Sequence, residues 1–144
     1  FAMEQLLNLD LVKEAKEAAN EILEEDSELK KHPELKRRME ELREKLAMYC
    51  FISLSGSEFH LAKYPIGSKY EKHIDQFNKR SNRQITVLIY LNKDWKKGDG
   101  GELKVSNEEG GFTVEPIAKR MLLFKSDVVE HEVLLTNAPR YSLS

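Results

Sequence analysis

The 144-residue chain is long enough for one domain with a single core and too short for two. Hydrophobic residues at 40% and charged residues at 33% describe a globular chain with a heavily charged surface, and a formal net charge of -2 gives no electrostatic case for nucleic acid or an anionic membrane as a general partner. No apolar run approaches the ~20 residues of a membrane span, no signal-peptide pattern is seen, and the single cysteine, Cys50, excludes an internal disulfide framework or a Cys-rich zinc site, so a reducing, cytoplasmic setting is expected.

Phe1–Ala2–Met3 is set aside as an expected expression remnant. From about Asn8 to Glu25, Leu11, Val12, Ala15, Ala18, Ala19, Ile22 and Leu23 recur at three- and four-residue spacings with Lys and Glu between them. That pattern predicts an amphipathic helix, with Asn8 or Asp10 as its cap. Pro33 suits the first position of a second helix, whose apolar stripe is Leu35, Met39, Leu42, Leu46 and Tyr49. Near Tyr49 the period changes. Short segments rich in Val, Ile, Leu, Thr and aromatics follow, separated by turn residues such as Ser55–Gly56–Ser57 and Pro65–Ile66–Gly67–Ser68. Expected strands are Phe59–Tyr64, Tyr70–Asp75, Gln84–Leu91, Glu102–Val105, Phe112–Val114, Met121–Phe124, Val128–Val133 and Arg140–Ser144. Gln84–Leu91 is apolar on both faces, as a strand covered on both sides should be. Asn92–Gly101 reads as a polar loop carrying Trp95.

Two helices followed by seven or eight strands, with no βαβα alternation, predict a mainly β fold. The expectation is a jelly-roll-like barrel of two antiparallel sheets backed by two amphipathic helices, in one domain. Helical support would occupy about residues 4–50 and the β-barrel core about 51–144.

The chemistry-bearing residues fall on strand faces. In an extended chain His73 and Asp75 point the same way. In Val129–Glu130–His131–Glu132–Val133 the histidine shares a face with two valines, and a buried imidazole must be hydrogen-bonded or ligated. Arg140, Ser142 and Ser144 share a third face, and a guanidinium turned inward needs an anion. Each has a plain alternative: a surface His beside an Asp, an imidazole bonded to Glu130 or Glu132, and a structural salt bridge. Taken together, two His and one carboxylate with a nearby cation are the ligand set of non-haem Fe(II) oxygenases.

The ordered set Tyr64, His73-x-Asp75, Arg83–Gln84–Ile85–Thr86, Tyr90–Leu91–Asn92, Trp95, Gly100–Gly101–Glu102–Leu103, Phe124-x-Ser126, His131–Glu132–Val133 and Arg140-x-Ser142 resembles the prolyl 4-hydroxylase-like 2-oxoglutarate/Fe(II) dioxygenases. The resemblance is to the compact branch containing the hypoxia-sensor-type prolyl hydroxylases and their bacterial relatives, and it covers roughly residues 59–144. It implies a double-stranded β-helix with iron held by His73, Asp75 and His131. It further implies that Arg140 binds the distal carboxylate of 2-oxoglutarate, with Tyr64, Tyr90, Ser142 and Ser144 as further cosubstrate contacts. For Tyr64 and Tyr90 plain core packing is an equal reading of the residues themselves.

The implied reaction is oxidative decarboxylation of 2-oxoglutarate by O2, giving succinate and CO2 and hydroxylating a C–H bond, with ascorbate as a reductant. The implied substrate is a peptidyl proline hydroxylated at C4, in a protein or peptide partner. The alternatives are a hydroxylase of a free amino acid or other small molecule, and a non-catalytic metal- or carboxylate-binding sensor barrel. Lys63, Lys69, Lys72, Lys79, Arg80 and Arg83 form either a solvated basic face or a surface for an acidic protein. Trp95 and its loop are expected to shape a rim of the cleft, and His32, Cys50 and His60 are expected to be structural. Ser144 falls inside the last strand, where relatives continue, so truncation at the C-terminus is expected.

Overall fold

The computed structural model describes residues 2–3, 33–76, 82–106 and 110–144. Its elements are β1 (Ala2–Met3), α1 (Pro33–Cys50), β2 (Leu61–Tyr64), β3 (Tyr70–His73), β4 (Ile85–Tyr90), β5 (Leu103–Val105), β6 (Phe112–Val114), β7 (Met121–Lys125), β8 (His131–Val133) and β9 (Arg140–Leu143). The helix expected over about Asn8–Glu25, His32 and the side chain of Leu35 lie outside the described residues. Ala2–Met3, left out of the strand count above, pairs with Leu122 and Met121.

Two antiparallel sheets result, one in the order β1-β7-β4-β9-β2 and one in the order β3-β8-β5-β6. From β3 onward the chain changes sheets at nearly every connection, and β5–β6 is the one pair of consecutive described strands that are hydrogen-bonded neighbours. Strand boundaries agree with the periodicity to within a residue or two, except that Val128–Val133 contributes only His131–Val133. The backbone N–H groups of Val128 and Val129 turn back to the Lys125 carbonyl instead.

The period of two decides the layers. Val87, Ile89 and Leu91 face α1, where they pack with Met39, Leu42, Met121 and Leu143. Their neighbours Leu88 and Tyr90 face the other way, against Leu103, Val105 and Val133 of the second sheet. The same alternation puts Tyr141 and Leu143 on the helix side of β9 and leaves Arg140 and Ser142 inside, between the sheets.

Pro33 opens α1, and Glu34 in its first turn accepts hydrogen bonds from Arg37 and Arg38. The helix ends by a backbone reversal at Phe51, whose φ is 54°, with the Ile52 N–H bonded to the Ala47 carbonyl. The apolar stripe is shorter than its spacing implies: Met39 is buried, whereas Tyr49 is 72% exposed. Tyr49 sits in the last turn, past the edge of the sheet contact. Cys50, expected to be structural, is exposed.

Ile89 is paired with both Met121 and Leu143 at the centre of the helix-side core. Ile89→Ala is expected to cost about 2–5 kcal/mol and Tyr49→Ser under about 0.5 kcal/mol, measured by urea denaturation. Equal costs would contradict this layering.

Candidate functional site

A β-bulge builds the centre of the site. Tyr70 pairs with Val133 and His73 with His131, so three steps on β3 match two on β8. The extra residue brings Tyr70 and His73 to one side of the strand, with ring centroids 4.4 Å apart. His73 and His131 are themselves a cross-strand pair with centroids 4.4 Å apart. Asp75 lies beyond the end of β3, in a bend rather than in the strand expected. Its Oδ1 nevertheless reaches His73 Nε2 at 3.2 Å and His131 Nε2 at 3.5 Å. The donor atoms of the three residues lie within 4.8 Å of one another, a set able to hold a metal ion.

The surroundings of each donor fix which atom faces the centre. His73 Nδ1 is 2.9 Å from the Glu71 carbonyl and His131 Nδ1 is 3.0 Å from the Val129 carbonyl. With Nδ1 carrying the proton toward these carbonyls, each Nε2 presents its lone pair inward, the arrangement that metal-bound imidazoles need. The Thr86 hydroxyl donates to Asp75 Oδ2 at 2.5 Å, which leaves Oδ1 on the histidine side. Phe124 packs edge-on against His131 at 4.9 Å. Glu130 and Glu132, the alternative partners of His131, are paired instead with Lys72 and Lys104.

The three residues line a cleft of about 960 Å³ that also includes Tyr64, Thr86, Leu88, Arg140, Ser142 and Ser144. Arg140 is 2% exposed. Its Nε donates to the Gly101 carbonyl at 2.9 Å and its Nη1 to Ser142 Oγ at 3.1 Å. Its guanidinium carbon lies 4.8 Å from the Tyr64 ring centroid and 5.2 Å from that of Tyr90. Among the described residues no carboxylate lies within salt-bridge distance of it, so the expected alternative of a structural ion pair is not seen. A buried cation left without an anion is set up to receive one.

The other expected contacts divide. Tyr64 lines the cleft, and burial raises its hydroxyl pKa despite the opposing influence of Arg140. Tyr90 is wholly buried, its hydroxyl has no hydrogen-bond partner among the described residues, and it is not part of the cleft wall. Burial pushes its pKa up to about 12, with Arg140 working against the shift. Ser144 is held by backbone bonds to His60, and its hydroxyl points to the His60 carbonyl at 3.4 Å.

Three residues that the sequence marks only as anchors of the resemblance, with no role in the site, support it. Thr86 shares the inner face of β4 with Leu88 and Tyr90, so its parity was available as a signal. Ser126, fully buried, lies 2.8 Å from the Thr86 hydroxyl. Gly101 has φ 75°, and a Cβ there would come within 2.8 Å of Arg140 Cδ and 3.0 Å of Thr136 Cγ2. Trp95 does not line the cleft; its indole N–H donates to the Gly100 carbonyl and so pins the glycine pair beside Arg140. Three of the four described members of the basic run are paired within the chain. Lys69 pairs with Glu71, Lys72 with Glu130 and Arg83 with Glu58, while Lys79 and Arg80 lie outside the described residues.

Two imidazoles and one carboxylate on one side of a cleft are the donor set of the mononuclear non-haem metal oxygenases. Residues 59–144 match the 2OG-Fe(II) oxygenase superfamily, and the chain belongs to that family. It is 39% identical over 89 residues to Egl nine homolog 1 of Rattus norvegicus and of Homo sapiens, a match covering 58% of this chain but only 26% and 21% of those proteins. Among solved structures it is similar to a Pseudomonas putida prolyl-4-hydroxylase, with TM-score 0.85, 31% identity and coverage of 99% of this chain and 84% of that one. The prolyl hydroxylase from Trichoplax adhaerens, solved in complex with a hypoxia inducible factor oxygen degradation domain peptide fragment, shares the fold at TM-score 0.83 and 24% identity, covering 99% and 80% of the two chains.

Gly101→Ala is expected to destabilise the chain by about 1–3 kcal/mol, through the left-handed backbone and the displaced Arg140 side chain. A thermal melt matching the parent would contradict this role. Tyr90 contributes to the alkaline pH dependence. Its folded-state pKa lies above the unfolded value, so its contribution to stability is intact below pH 10 and is lost as pH rises from 10 toward 12. Tyr90→Phe removes that loss, and its stability relative to the parent is expected to rise by about 1 kcal/mol between pH 9 and pH 11, read by urea denaturation at each pH.

Proposed function

We propose that this chain is a hydroxylase of C4 of a prolyl residue in a peptide, using Fe(II), 2-oxoglutarate and O2 and releasing succinate and CO2. The observation that carries the reading is the convergence of His73, Asp75 and His131 in the same cleft as a buried Arg140 that has no carboxylate partner among the described residues. The donor set suits iron: two imidazoles with Nε2 facing inward and one carboxylate oxygen. Bound there, iron supplies the redox and O2 chemistry that couples decarboxylation of the keto acid to C–H hydroxylation.

The chain's own residues supply position and dielectric. Arg140 offers a guanidinium, already desolvated, to the distal carboxylate of 2-oxoglutarate, with Ser142 on one nitrogen and the Tyr64 ring against its face. Leu88, Leu103, Phe124 and Val133 give the cleft apolar surface beside the three donors. No Ser–His–Asp or Cys–His pair is required, because the protein's task is to orient groups rather than to act as a nucleophile. The two-sheet arrangement is read as the double-stranded β-helix of the family. A prolyl substrate is supported by the 31% identity to the Pseudomonas putida prolyl-4-hydroxylase.

Anaerobic addition of Fe(II) and 2-oxoglutarate is expected to produce the weak visible charge-transfer band of the chelate, and admission of air with proline-containing peptides to produce succinate and a +O mass shift on proline. His131→Ala is expected to abolish both. Arg140→Ala is expected to raise half-saturation by 2-oxoglutarate about 10- to 100-fold while metal binding is kept, as loss of charge-assisted hydrogen bonds worth about 1.5–3 kcal/mol requires. No band with the parent chain would remove the iron reading; succinate without a mark on proline would remove the substrate.

A further inference from the structure

Asp75 differs from its two companions in how it is held. His73 and His131 sit opposite one another in a strand ladder, and each ring is tied to a backbone carbonyl two residues before it. Asp75 lies past the end of β3, where the described ladder stops. A carboxylate on such a backbone keeps its side-chain freedom unless something else restrains it.

The restraint comes from the five-stranded sheet. Thr86 of β4 donates its hydroxyl proton to Asp75 Oδ2 at 2.5 Å. An ionised carboxylate only accepts, so the Thr86 proton is committed to Asp75, and the Ser126 hydroxyl at 2.8 Å must be the donor to Thr86. The order of the relay is therefore Ser126 to Thr86 to Asp75. Ser126 is fully buried and anchored at both backbone groups: its N–H donates to the Gln84 carbonyl at 3.2 Å, and its carbonyl accepts from the Gln76 N–H at 3.0 Å. One residue thus ties the segment leading into Thr86 to the segment leaving Asp75.

We propose that Thr86, backed by Ser126, is a positioning residue that keeps Asp75 a single-oxygen ligand. Oδ1 is aimed at the point faced by both Nε2 atoms, and Oδ2 is withheld. The centre then presents three protein donors, and its other positions stay open for cosubstrate. This inference rests on the metal reading given above. Without the Thr86 hydroxyl, Oδ2 is released, and the carboxylate is free to swing off the point faced by both Nε2 atoms.

Mn(II) serves as the probe, titrated into the 144-residue chain and followed by loss of the electron paramagnetic resonance signal of free aqueous Mn(II). Thr86→Val keeps the branched shape and removes the donor; its Mn(II) dissociation constant is expected to rise about 10- to 100-fold. Thr86→Ser, which restores the hydroxyl, is expected to bind close to the parent, and Ser126→Ala to shift in the same direction as Thr86→Val by less. Thr86→Val binding Mn(II) like the parent overturns the proposal, as does a weakened Thr86→Val that Thr86→Ser fails to rescue. Should Thr86→Val not fold, parent-like binding by Ser126→Ala overturns it. A parent chain that leaves the Mn(II) signal untouched removes the metal reading itself, and this inference with it.

Discussion

Burying a guanidinium without a carboxylate costs several kcal/mol unless other groups take over the charge. Arg140 is 2% exposed, and what surrounds it is a carbonyl, a hydroxyl and two aromatic faces. Much of the second half of the chain follows from that arrangement. Gly101 must lack a side chain so that the Arg140 methylenes can pass, and its carbonyl must point at Nε. Trp95 holds the preceding glycine, and the Gly101 N–H is fixed by the Leu135 carbonyl. Thr136, fully buried, joins this corner to the Pro65–Ser68 turn through its hydroxyl. These bonds partly offset the charge and stop short of neutralising it.

The triad is built on the opposite principle. Its polar atoms point at one another because every competing bond is used elsewhere. Both Nδ1 atoms are on carbonyls, Oδ2 is on Thr86, and the flanking glutamates are on lysines. What is left over is one nitrogen from each histidine and one carboxylate oxygen. Such a cluster is held together by its surroundings, and that is preorganisation in the physical sense: the orienting cost is met on folding rather than on binding.

Much of the fold was legible in sequence because burial and strand parity are local properties. Gln84–Leu91 is apolar on both faces, and the structure covers it with α1 on one face and the second sheet on the other. Arg140 and Ser142 against Tyr141 and Leu143 divided as their alternation required. The errors also have physical causes. Tyr49 fits the helical spacing, yet the stripe runs on past the end of the sheet it packs against. The Tyr70–Asp75 strand stops at His73, and a bulge rather than plain alternation sets which residues share its face. Hydrophobic pattern carries no record of a bulge, because the extra residue is defined by its partner strand.

Chemical type and order along the chain, His73 and Asp75 followed by His131 and then Arg140, were enough to indicate which groups are available, since ligand chemistry depends on residue identity and strand faces on parity. Only the tertiary structure decided which atoms are free. Asp75 Oδ1 remains available because Thr86 and Ser126 come over from the other sheet, and the Arg140 charge stays uncompensated because no acidic side chain among the described residues reaches it. Both are outcomes of long-range packing, and no local window of sequence contains them.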